Sequence, residues 1–149
     1  MTGFLRTPWL GLLLAVFVTG CHATPEDARI PVAGTVFLGG KPVASGAVIL
    51  RPDAAKGNTS KHEPRGKIEA DGKFQTETAL QQGAPPGWYK IGVIATEPAD
   101  PKAPYTEMKS LIASKYNDPD TSGLAFEVVQ SPPAGAYDLK LDPKASNSP

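Results

Sequence analysis

The chain is poor in the residues that build covalent frameworks and metal centres: one cysteine, Cys21, and two histidines, His22 and His62, in 149 residues. A single thiol closes no internal disulfide, so the fold must be held by its core alone. Two histidines give no zinc peptidase, because such a site brings two or three ligands together at short spacings, and with His22 beside Cys21 "HEPRG" around His62 has no second histidine at the helical interval. His62 is expected to be a solvated loop residue. Charge of either sign is also not in excess, with fifteen basic and fifteen acidic side chains and no basic cluster. Nucleic acid or a polybasic membrane contact would demand a positive stripe, so both are excluded as partners. No apolar run reaches the roughly 20 residues that span a bilayer as a helix. What the chain has in quantity is glycine, fifteen, and proline, sixteen. With few runs at helical spacing, they predict many turns and an all-β domain.

The apolar run that does exist lies at the start. Arg6 is the one positive side chain before an uncharged stretch from Pro8 to Gly20 rich in Leu, Val, Phe and Ala. That is the layout of a secretory signal. It ends in Val18-Thr19-Gly20-Cys21, small residues leading into cysteine, a sequence similar to the lipobox of bacterial lipoproteins. The likeness implies that Cys21 is lipidated and becomes the first mature residue. Two or more acyl chains hold a protein stably on a bilayer at about 0.8 kcal/mol per buried methylene. Residues 1–20 are therefore expected to be a lipoprotein signal peptide and 21–29 a lipidated tether. Residues 30–142 form the domain and 143–149 a flexible tail. The membrane enters as a partner through the lipid anchor, outside the cytoplasm, and His22 after the cysteine favours the outer membrane over the inner.

Within the domain, apolar residues recur with period two. Val32, Gly34, Val36 and Leu38 share a face, "LGGKPV" turns the chain, and residues 47–51 form a second strand. Ile68 faces inward between Lys67 and Glu69. In "ADGKFQTET", Asp71-Gly72 is expected to supply the positive φ angles of a tight hairpin turn. Lys73, Gln75 and Glu77 then alternate with inward Phe74, Thr76 and Thr78. "WYKIGVIAT", 88–96, is the central-strand candidate with Tyr89, Ile91 and Val93 inside, and Pro98 ends it. "SLIASKYND" is open between a short helical turn and an extended arm. Leu124, Phe126 and Val128 face in along one late strand, and Tyr137, Leu139 and Leu141 along the last. Seven short strands over this length fit an immunoglobulin-like or prealbumin-like β-sandwich.

The order of these pieces resembles a family. "VAGTVFLGGKPVASGAVILRP", "GKIEADGKFQTET", "GAPPGWYKIGV" and "SKYNDPDTSGLAFEVV" look like the small lipoproteins of planctomycete-type bacteria with a carboxypeptidase regulatory-like, or transthyretin-like, domain. The shared pattern falls on Gly34 and Val36, Gly40 to Pro42, Pro52, Asp71 and Gly72, Pro86, Gly87 and Tyr89, Lys115 to Asn117, and Thr121 to Leu124. The resemblance implies the sandwich fold and an envelope location and carries no peptidase activity. Transthyretin-like hydrolases of purine breakdown end in a Tyr-Arg-Gly-Ser motif. Here Tyr137 is followed by Asp138, Leu139 and Lys140, so that activity is not inherited.

Chemistry-bearing candidates are few. Ser122 precedes Gly123, but there is no G-x-S-x-G elbow. In "DPDTSG", Asp118, Asp120 and Ser122 occupy alternate positions before a glycine, as in a calcium loop. The twelfth position, however, is Val129 rather than Glu, and Pro119 stiffens the start. An ordinary turn delivering Leu124 to the core is the favoured reading, with Tyr116 packing its ring beside it. "KGNTSKHEPRGK" reads as a binding loop or a solvated connection, and "NTS" matches a glycosylation acceptor. No catalytic residue and no cofactor are expected. The sequence points to a non-catalytic envelope module binding a protein, peptide or glycan, the alternative being a calcium-dependent binder or hydrolase using residues 118–122.

Overall fold

The computed structural model describes residues 28–98, 101–103 and 108–144. Cys21, the predicted signal and most of the predicted tether lie outside them, as do residues 145–149. Among the described residues nine strands follow one another: β1 (Ala33–Leu38), β2 (Lys41–Pro42), β3 (Gly46–Pro52), β4 (Arg65–Ile68), β5 (Lys73–Thr78), β6 (Gln81–Gln82), β7 (Gly87–Ala95), β8 (Leu124–Val128) and β9 (Leu139–Leu141). Seven of them, those of three or more residues, fall where the period-two pattern places strands. β2 and β6 are two-residue extensions that the pattern did not anticipate. The only helical structure among the described residues is two 3₁₀ turns, Ala54–Lys56 and Ser114–Asn117. The second resolves the open reading of "SLIASKYND" in favour of the helical turn.

All nine strands belong to one hydrogen-bonded sheet, seven of them in the order β2-β1-β5-β4-β3-β7-β8, with β6 branching off β5 and β9 off β1. Every pairing is antiparallel except β1 with β9. The result is all-β, a curled half-barrel sheet rather than a flat one. The change of direction falls inside β1. Its first half, Ala33 to Thr35, pairs with β5, and its second half, Val36 to Leu38, pairs with β9. Gly34 makes this corner, because a Cβ there would stand 2.4 Å from the carbonyl oxygen of Tyr137. Only glycine lets the 137–139 segment cross so close to β1.

The concave face holds the core. Cross-strand partners carry the alternation from strand to strand: Val48 faces Val93, Leu50 faces Ile91, and Tyr89 faces Phe126. Phe74, Tyr89, Ile91, Phe126, Leu139 and Leu141 are buried as predicted, while Leu124, also predicted for the core, is only partly covered. Tyr137 tilts onto Phe126 with ring centroids 4.8 Å apart. The β4–β5 hairpin has the predicted faces, Phe74, Thr76 and Thr78 in and Lys73, Gln75 and Glu77 out. Its turn differs from expectation: Gly72 alone has positive φ, +83°, and Asp71 does not. Asp71 works through its side chain, whose Oδ1 accepts from the Lys73 amide at 3.1 Å while Oδ2 meets Lys73 Nζ at 2.7 Å. Pro143, placed in the tail by the sequence, forms an isolated bridge with Ile112.

Candidate functional site

On the convex face of the sheet, Arg51 of β3 stands directly across from Lys90 of β7. Two like charges side by side on a sheet repel, and the 118–123 loop resolves this by laying its carboxylates over them. It can lie flat because β7 has Gly92 beneath it; a Cβ there would approach the Pro119 ring to 2.8 Å. Arg51 Nη1 donates to Asp118 Oδ1 at 3.1 Å and to Asp120 Oδ2 at 2.7 Å. Arg51 Nε reaches Glu63 Oε1 at 3.0 Å. Lys90 Nζ donates to the other Asp120 oxygen, Oδ1, at 2.9 Å. The hydrogen bond from Lys90, then that from Arg51, holds the Asp120 carboxyl below its ordinary value. Arg51 is raised in turn, first by Glu63 and then by Asp120.

The calcium candidates are thus engaged within the fold. Asp120 gives both oxygens to protein cations. Asp118 divides Oδ1 between Arg51 and the Asp120 amide, an Asx turn. Ser122 is buried; its hydroxyl donates to the Ile91 carbonyl at 2.5 Å and accepts from the Leu124 amide at 3.1 Å. Tyr116 is buried as expected, and its hydroxyl donates to Asp142 Oδ2 at 3.1 Å. Among the described residues no group of three or more His, Cys, Asp and Glu side chains converges as a metal site would. His62 is exposed.

A second arrangement, which the sequence reading did not single out, lies at the start of β7. The chain after β3 makes the Ala54–Lys56 turn, capped at its start by Asp53, whose carboxylate accepts from the Ala55 amide, and closed by Gly57 at φ +83°. The Trp88 carbonyl then fastens this loop to the sheet, accepting from the Asp53 amide at 3.0 Å and from Asn58 Nδ2 at 2.9 Å. Asn58 Oδ1 accepts from the Ser60 amide, and Tyr89 donates its hydroxyl to the Pro85 carbonyl at 3.0 Å. Burial pushes the Tyr89 hydroxyl above its ordinary pKa. The glycosylation acceptor suggested by "NTS" is therefore closed in the folded chain: Asn58 is only 7% exposed and its amide is bonded.

Held this way, the loop walls a recess of about 240 Å³ between the 56–60 segment, Pro85 to Trp88 and Glu127. Lys56 Nζ sits 3.6 Å from the centroid of the half-buried Trp88 ring, a cation–π contact. Glu127, the cross-strand partner of Trp88, closes the opposite side. The only sequence signal for this recess was the "KGNTSKHEPRGK" run, read as either a binding loop or a solvated connection. A larger concavity of about 850 Å³ lies over the outer face of the β4–β5 hairpin. It is the wider of the two and the less ligand-like. Its walls are the outward Arg65, Lys67, Glu69, Lys73 and Glu77, two of whose lysines are already paired with Glu69 and Asp71, and its one aromatic, Phe74, is buried in the core. Compared with known proteins, the chain matches no family model, no curated protein and no solved structure.

Proposed function

We propose that the chain is a lipid-anchored, non-catalytic module of the bacterial cell envelope whose domain binds a protein, peptide or glycan. The observation that carries the reading is the contrast between two clusters. The side chains with reactive or ligating potential, Asp118, Asp120 and Ser122, are engaged in bonds that hold a loop to the sheet. The recess at Trp88 offers an aromatic wall and polar rims instead, which suits recognition rather than chemistry. The metal-dependent alternative has no comparable support, since Arg51 and Lys90 face the oxygens that a calcium ion would need.

The anchor belongs to the same proposal and rests on Val18-Thr19-Gly20-Cys21 behind an uncharged run. So does the finer fold, an immunoglobulin-like or prealbumin-like sandwich of the family named by resemblance. In that reading the β1 corner folds the β2-β1-β9 end over the rest of the sheet as the second layer. The test is to express the full chain and its Cys21→Ser variant with radiolabelled palmitate and fractionate the cells. Label on the wild type alone, in the membrane fraction, is the expected result. Equal labelling of both, or none on either, would remove the anchor, and a cytoplasmic wild type would remove the envelope assignment.

A further inference from the structure

We propose that the Trp88 recess binds one neutral sugar ring of a glycan, an inference that rests on the binding-module reading above. Three features of the recess select this chemistry. The first is size: about 240 Å³ lies below the 300–1,000 Å³ typical of drug-sized ligands, leaving room for a single ring or side chain. The second is the half-buried indole of Trp88, a flat apolar surface of the kind on which the C–H face of a sugar lies. The third is the balance of polar groups around it. Lys56 brings a donor, Glu127 an acceptor and Thr59 a hydroxyl that does both. Among the described residues, none of these three side chains makes a hydrogen bond or an ion pair, and the Lys56 ammonium is engaged only with the Trp88 ring, so their hydrogen-bonding capacity is open to a ligand. The Asp118 cluster shows the opposite, each carboxylate there being taken up by a neighbouring cation.

Local charge separates a sugar from the other candidates. An anionic ligand would be drawn by Lys56 and repelled by Glu127, while a cationic one would have to displace the ammonium already over the Trp88 ring. A neutral polyol must also move that ammonium off the ring, but unlike a cation it is not repelled by it and gains it as a hydrogen-bond donor, and unlike an anion it is not repelled by Glu127. Lys56 is exposed on a three-residue turn, so its flexible stem can swing off the ring as the sugar arrives and donate to a hydroxyl. The frame behind it stays put, because the Trp88 carbonyl is held by Asp53 and Asn58. These bonds use the main chain of residue 88, so replacing the indole leaves them in place.

The experiment uses the full chain reconstituted in phosphatidylethanolamine and phosphatidylglycerol vesicles, with Trp9→Phe so that Trp88 is the one tryptophan. Emission is followed during titration with cellotetraose, maltotetraose, mannotetraose and chitotetraose, and in parallel with tetragalacturonate, choline and a proline-rich decapeptide. The expected result is a saturable change with at least one neutral tetrasaccharide. By calorimetry Trp88→Ala should weaken that binding about tenfold or more, as truncating an aromatic anchor does. Glu127→Ala, an exposed substitution that leaves the fold intact, should weaken it about threefold. The inference is overturned if no neutral tetrasaccharide binds below about 10 mM, or if Glu127→Ala and a folded Trp88→Ala both bind as the parent does. Binding of tetragalacturonate, choline or the peptide alone would also overturn it. Failure of the wider proposal looks different: palmitate labelling and fractionation report on it without any sugar. A chain that is labelled and in the envelope but blind to all four sugars loses only this inference.

Discussion

Single residues decide most of what the convex face does. Asp120 holds Arg51 and Lys90 at once, and its carboxyl is lowered from 3.8 by those two partners. A depressed folded-state pKa contributes stability above the unfolded value and loses it as pH falls through the folded one. Asp120→Asn should therefore melt slightly below wild type at neutral pH, and the gap should close as the pH drops below 3.8 towards about 2. Thermal melts across that range check it, and a gap that persists at the acid end would mean the bonds act by geometry rather than charge. Because the pair is exposed, the effect at any pH is small. Residues 79 and 80 are the reverse case, a cost the chain carries. Both have positive φ, Ala79 at 49° and Leu80 at 67°, in a two-residue turn that normally takes Asn-Gly. Left-handed backbone costs an ordinary residue roughly 1–2 kcal/mol, and Leu80 is 96% exposed, so its side chain offsets nothing. Ala79→Asn with Leu80→Gly should raise the melting temperature by a few degrees; a fall would show that the turn is held by something other than its backbone. It was illegible in the sequence because neither residue is a turn former, and β6 was missed with it.

At the scale of elements, legibility followed alternation. The β4–β5 hairpin, β7 and β8 could be read because one face of each is buried and the other wet, so period two survives in the residues. The β1 corner could not be read, because a strand that changes partners midway shows no break in its pattern. By the pattern Gly34 is one more inward position, whereas its role is to let the Tyr137 backbone cross close to β1. The acidic loop was legible as a turn, with Tyr116 buried beside it, but its partners were not. Arg51 and Lys90 are 67 and 28 residues or more away along the chain, and only the β3–β7 register brings them together. The recess at Trp88 escaped for the same reason, being made where a 3₁₀ turn meets a strand some thirty residues on. Phe126→Ala should cost about 3–5 kcal/mol, since that ring is buried against Tyr137, whereas Lys90→Ala on the opposite face should cost little. Similar small shifts for both would mean that the two faces of β7 and β8 are reversed. For the loop, melts with millimolar calcium and with chelator should coincide in wild type. A calcium-dependent rise of several degrees, lost when Asp118 and Asp120 are both changed to Asn, would restore the metal-dependent reading.

For the molecule as a whole, the question is what closes a curled sheet whose ends do not meet. The last described residues do it, from several directions. Tyr137 covers Phe126 and sets its hydroxyl 3.3 Å from the Val129 amide, which donates to it. Leu139 to Leu141 add a parallel strand to β1, Gly39 donates to the Leu141 carbonyl, and Asp142 accepts from Tyr116. One short segment thus joins the first strand, the 114–117 turn and the end of β8, contacts of long sequence separation that form late and hold together only jointly. Leu139 and Leu141 are buried with it, so its removal would uncover the concave core as well as break its bonds. Deleting residues 137–149 should therefore abolish the cooperative transition rather than merely lower it, with far-UV β signal outlasting the near-UV signal of packed aromatics. Tyr116→Phe, which removes one hydroxyl from the same closure, should cost only about 1 kcal/mol and leave the transition cooperative. A deletion variant that melts sharply near the wild-type temperature would show that the sheet from β1 to β8 folds unaided and that the C-terminal strand is an accessory to it.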